Sequence, residues 1–115
     1  MKTKTVVQAF GALAQETRLG SYRLLVQAGP AGMAAGAIAD KLGLPPATLS
    51  FHLKELSRAG LVSSRQEGRF VIYSADFGNM LRLVNFLTEN CCSGKSCVPA
   101  SVPNRAGARA SRKAA

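Results

Sequence analysis

SFHLKELSRAGLVSSRQEGRFVIYS, residues 50–74, changes its hydrophobic period halfway along. Leu49, Leu53 and Leu56 fall at i, i+4 and i+7, the stripe of a helix, and the pattern stops at Gly60. Beyond it, Leu61 to Ser64 and Phe70 to Ser74 form two short runs around a charged turn containing Glu67-Gly68, which predicts a β-hairpin. A helix running directly into a two-stranded hairpin narrows the fold to few choices.

Upstream, the pattern is helical throughout. Val6, Phe10 and Leu13 predict a first helix, and Leu19, Tyr22, Leu25 and Val26 a second that stops at Gly29-Pro30. Ile38 and Leu42 lie one turn apart in a third, joined to the fourth by three or four residues around Gly43. Downstream, DFGNMLRLVNFLTEN carries Phe77, Met80, Leu81, Val84 and Leu87 in a helical pattern, with extra apolar positions at Leu83 and Phe86. So wide an apolar face exceeds one small core and predicts a homodimer interface, to which the first helix contributes. The expected class is α+β and mainly helical, a winged helix-turn-helix in the order α-α-α-α-β-β-α, dimeric through its first and last helices. The expected divisions are residues 1–90 for this domain, 91–97 for a thiol segment and 98–115 for a basic, disordered tail.

The chain has 115 residues, 47% of them apolar, enough for one compact domain. No apolar run reaches the roughly 18 residues needed to span a bilayer, and the start lacks the pattern of a secretory leader, so the expectation is a cytoplasmic protein with reduced thiols and no membrane partner. Of the net charge of +9, residues 1–90 carry ten Lys and Arg against six Asp and Glu (+4), while residues 91–115 carry five and no acid (+5). Such a balance points to a polyanion as partner, with nucleic acid first among the candidates.

ETRLGSYRLL, LGLPPATLSFHLKELSRAGLV and GRFVIYS resemble the ArsR (arsenic-repressor) family of winged-helix metal sensors, over about residues 5 to 88. The resemblance implies a homodimer that binds a palindromic double-stranded DNA operator without metal and releases it on binding the inducer. With Leu49, Leu53 and Leu56 turned to the core, a spacing of 100° per residue leaves Ala47, Ser50, Phe51, Lys54 and Arg58 outward, the face a major groove would meet. Ser50 suits base edges or phosphate, Ala47 and Phe51 suit thymine methyls, and Lys54 and Arg58 suit phosphate or guanine. Thr48 and His52 lie at the flank of that face. Pro45-Pro46 departs from the family's usual polar residues and removes two backbone donors that would otherwise hold phosphate. Arg65 and Arg69 flank the hairpin turn, as a wing on the sugar-phosphate backbone would require.

The family's best-known members carry metalloid cysteines on the helix before the recognition helix, and the equivalent AGAIADKLG has none. All three cysteines, Cys91, Cys92 and Cys97, follow the last helix. They make an all-sulfur set with no histidine nearby. Structural zinc wants four ligands, whereas As(III) and Sb(III) take three thiolates in a pyramid, so the count favours a metalloid inducer. Cys91 and Cys92 can share one ion only if the helix ends near Asn90. A Cys92–Cys97 redox switch, or Cd(II), Pb(II) or Bi(III), remains open to the same thiols. A thiol enzyme is disfavoured, because a catalytic thiol wants a histidine, arginine cluster or phosphate loop beside it.

Overall fold

The computed structural model describes residues 1–94. Cys97 and the expected basic tail lie outside them. The elements are α1 (Thr3–Leu13), α2 (Glu16–Ala28), a 3-10 turn (Gly29–Ala31), β1 (Met33–Ala34), α3 (Ala35–Leu42), α4 (Pro46–Arg58), β2 (Val62–Glu67), β3 (Phe70–Ala75), α5 (Phe77–Thr88) and a second 3-10 turn (Cys91–Gly94). The expected winged helix-turn-helix is present, with one strand more than the sequence suggested: β1 pairs antiparallel with β3, Met33 facing Tyr73 and Ala34 facing Ile72, so the order is β1-β3-β2.

The core is assembled around α4. Leu49, Leu53 and Leu56 are fully buried together with Leu25 of α2, Ile38 of α3, Leu61 and Leu83 of α5. At roughly 1.5–3 kcal/mol for each buried aliphatic side chain, the three leucines fix which way α4 faces. Both ends of the helix-turn-helix are closed by glycine. After α3, Gly43 turns left-handed (φ +67°), and the amide of Leu44 donates to the carbonyl of Ala39 at 3.0 Å. After α4, Gly60 (φ +77°) donates to Ser57 and Leu61 donates to Leu56, both at 3.0 Å, which is the Schellman pattern. Pro46 occupies the first turn of α4, where its missing N–H removes no intrahelical bond.

Several of the apolar residues whose spacing predicts the helices are exposed. Phe10, Leu19 and Val26 face solvent, while Ala9 and Ser21 are buried in their helices. In α5 the buried residue is Leu83, read from sequence as an extra, and Leu81, Val84 and Leu87 point outward. The hairpin is longer than predicted, its strands reaching Glu67 and starting at Phe70, so the turn is Gly68-Arg69.

Two positions give direct tests. A Cβ on Gly32 (φ +75°) would stand 2.2 Å from the Tyr73 carbonyl oxygen, whereas one on Gly11, within α1, meets open space. Gly32→Ala is expected to cost about 2 kcal/mol or more in urea unfolding and Gly11→Ala to add about 0.5–1 kcal/mol; equal effects would contradict the β1–β3 approach. The Tyr22 hydroxyl is buried and has no hydrogen-bond partner among the described residues, and burial, with the charge of Asp76 second, pushes its pKa up from 10.0. The fold therefore favours neutral Tyr22, and this contribution is intact below about pH 10 and lost as pH rises through the folded-state value. Tyr22→Phe is expected to flatten the alkaline decline in stability, and an unchanged decline would refute the assignment.

Candidate functional site

The face of α4 opposite its leucines is open. Ala47, Thr48, Ser50, Phe51, Lys54 and Arg58 are all exposed, and Phe51, at 59%, is a large aromatic left in water. His52 is half-buried at the flank, its ring 5.4 Å from that of Phe51 in an edge-to-face arrangement. Its Nδ1 is buried and has no hydrogen-bond partner among the described residues. The structure thus brings the sequence-predicted helical residues onto one surface, with His52 at its edge.

The cations on that surface are not equivalent. Glu55 holds Arg58 through a 2.7 Å contact and stands 4.0 Å from Arg18 of α2. Lys54 has no ion pair among the described residues. On the hairpin, Arg65 lies within β2 opposite Ile72, so it is not part of the turn as expected. Its guanidinium donates to Glu67 and, at 2.7 Å, to the carbonyl of Ala31, tying the wing to the turn after α2. Arg69 occupies the turn itself, exposed and without an ion pair among the described residues. Charge alone would not have separated Arg65 from Arg69. The presence of Glu67 two residues after Arg65, on the same strand face, was the available signal.

The start of α5 is stitched to the end of α4. Asp76 caps α5 by accepting from the amide of Asn79 at 2.9 Å, and its own amide donates to the carbonyl of Leu61 at 2.8 Å. The Asn79 side chain donates to the Gly60 carbonyl at 2.7 Å. Sequence reading missed Asn79, whose partner is a backbone group 19 residues away. At the other end, α5 stops at Thr88, and Asn90 adopts a left-handed φ of 58° before the turn at Cys91–Gly94. The helix therefore ends where a shared thiol site required it to end. Cys91 is half-buried, and among the described residues no three His, Cys, Asp or Glu side chains gather as a metal site. Cys97 lies outside those residues. No helix among them is long and apolar enough to cross a membrane.

An exposed reading helix followed by a hairpin wing defines a winged helix-turn-helix protein. Residues 13–65 match a family described as "Helix-turn-helix domain". An uncharacterized HTH-type transcriptional regulator of Methanocaldococcus jannaschii is 36% identical over 72 residues, 63% of this chain and 79% of the relative. The nodulation protein NolR of Rhizobium meliloti is 37% identical over 57 residues, 50% of this chain and 47% of NolR. The match thus spans about half of that relative. Among solved structures, the homodimeric winged helix-turn-helix DNA-binding domain of a possible ArsR-family regulator from Mycobacterium bovis superposes with a TM-score of 0.60 at 29% identity, covering 80% of this chain and 85% of that one. The chain belongs to the winged helix-turn-helix transcriptional regulators of the ArsR/NolR family.

Proposed function

We propose that this chain is a dimeric repressor that places α4 in the major groove of a palindromic DNA operator, with the wing on the adjacent backbone, and lets go when its thiols capture As(III) or Sb(III). The observation that carries the reading is the outward face of α4, where Ser50, Phe51 and Lys54 are exposed beside a wing tip bearing Arg69. Lys54 and Arg69 are the cations ready for phosphate, whereas Arg58 must first leave Glu55. Arg65 holds the wing's position, and any DNA contact by it competes with its bonds to Glu67 and Ala31.

The second copy covers an apolar surface on α1 and α5. Val7 of α1 and Leu81 and Leu87 of α5 are each more than three-fifths exposed, with Phe10 and Val84 also in solvent. Leaving these side chains in water forgoes about 1 kcal/mol or more apiece, which a symmetric contact recovers. A dimer also sets two copies of α4 about 34–36 Å apart, one turn of the duplex.

The thiol segment, residues 91–97, is the input. Three soft sulfur ligands with no histidine beside them suit a trigonal metalloid, and α5 ends before them so that Cys91 and Cys92 stand outside the α-helix. Cys97 completes the set. The first two thiols lie in a short 3-10 turn, Cys91–Gly94, an element whose hydrogen-bond geometry is poorer than that of an α-helix. The ion displaces DNA by binding more tightly to the dimer geometry that does not fit the operator, and α5 carries that change to α4 through Asn79 and Asp76.

Fluorescence anisotropy on an operator fragment tests both halves. Log affinity should fall linearly with log salt, and Lys54→Ala or Arg69→Ala should each reduce the slope by about 2 per dimer, roughly one phosphate per copy. As(III) should release wild-type protein, and Cys92→Ser or Cys97→Ser should abolish release without weakening DNA binding. Salt-independent binding would sink the first half; a normal As(III) response by both serine variants would sink the second.

A further inference from the structure

A cleft of about 330 Å³ opens between α1 and the end of α4, with Arg18 of α2 beside it. From this cleft we infer that the protein has a binding site for a small carboxylate carrying a short apolar body, separate from the thiols and adjoining the groove-facing surface at Arg58. Its volume falls within the range of small-molecule sites, and its make-up is that of such a site: apolar walls with a few convergent polar groups. Gly11, Ala12 and Ala59 supply the walls. Gln8 supplies an amide, and Arg18 and Arg58 supply two guanidinium groups around the single carboxylate of Glu55.

The charge balance selects an anion. Two cations share one acid, leaving the cleft one positive charge in excess. Glu55 serves Arg58 at 2.7 Å but reaches Arg18 only at 4.0 Å, so the Arg18 guanidinium is the more weakly paired of the two. A ligand carboxylate supplies the missing negative charge, and the planar fork of arginine suits a carboxylate bidentately. Phosphate would meet the arginines equally well but makes no use of the apolar walls.

Position gives the site a consequence. On α1, Gln8 and Ala12 lie about 100–160° around the helix from Val7 and Phe10, at about 100° per residue, while Gly11 lies one turn from Val7, so the second copy placed on Val7 and Phe10 borders the cleft at Gly11 and leaves its Gln8 and Ala12 side clear. Arg58 belongs both to the cleft and to the outward face of α4. A carboxylate that engages Arg58 takes it from DNA phosphate. That consequence, unlike the site, rests on the DNA-binding reading.

Isothermal titration calorimetry of the full chain with benzoate, alongside inorganic phosphate, tests the site without DNA. Benzoate should bind once per chain, and phosphate should bind far more weakly. Arg18→Gln should weaken benzoate about tenfold or more, as loss of a charge-assisted pair predicts. Gly11→Leu, placed where a Cβ meets nothing within 4 Å, should fill the cleft and abolish binding while keeping the fold. Glu55→Gln should tighten binding by removing the built-in competitor. The site is refuted if wild type and Gly11→Leu give the same heats, if phosphate matches benzoate, or if Glu55→Gln weakens binding. In the anisotropy assay benzoate should lower DNA affinity for wild type and leave Gly11→Leu unaffected; failure there with calorimetric binding intact overturns the coupling, and absence of DNA binding by either protein overturns the repressor reading alone.

Discussion

Burial of Leu49, Leu53 and Leu56 on one side of a 13-residue helix is the constraint from which the rest follows. With that side fixed in the core, the helical repeat leaves Ser50, Phe51 and Lys54 no place but the surface. The glycine closures at Gly43 and Gly60 set where the helix starts and stops. Leu61, the residue that completes the second closure, is itself fully buried, so the packing of α4 also fixes the root of the wing. From the same corner, Gly60 and Leu61 offer their carbonyls to Asn79 and Asp76, and the last helix is aimed by the end of the fourth. One packed helix therefore orients the reading surface, the wing and the apolar face of α5 together.

Charge is distributed over this frame in two kinds. Arg58 and Arg65 are engaged within the chain, by Glu55 and by Glu67 with Ala31, and they act first as struts. Lys54 and Arg69 make no such pairs among the described residues. Exposed ion pairs contribute little to stability, about 0–1 kcal/mol, so the struts are better understood as holding geometry than as holding the fold together. They also set a threshold: an arginine already paired reaches a new anion only by giving up the old one. Glu55, shared between Arg18 and Arg58, is the point at which such an exchange touches the reading helix.

Much of this was legible in the sequence because long periodic segments declare themselves. Leu49, Leu53 and Leu56 gave α4 and its outward face, and Glu67-Gly68 gave the hairpin. Strand β1 was not legible: two residues carry no period, and Met33 and Ala34 become a strand only because Tyr73 and Ile72 lie alongside. In α5 the apolar residues cover so much of the circumference that pattern alone could not choose Leu83 over Leu81, Val84 or Leu87 as the buried position; packing into the common core made the choice. Phe10, Leu19 and Val26 mark their helices by apolar spacing, yet it is the small residues Ala9 and Ser21 that are fully buried there. The place of Arg65 failed for a third reason, since strand length depends on cross-strand pairing that composition does not reveal.

The central claim is that the surface opposite the α4 leucines, with the wing tip, is where this protein meets DNA. The most direct measurement is a titration of isotopically labelled protein with a palindromic duplex, followed by backbone amide NMR. The account predicts shifts concentrated at Ala47, Ser50, Phe51 and Lys54 of α4 and at Gly68 and Arg69 of the turn, with Leu81, Val84 and Leu87 unmoved. Shifts confined to α1 and α5, with α4 and the turn silent, would contradict it.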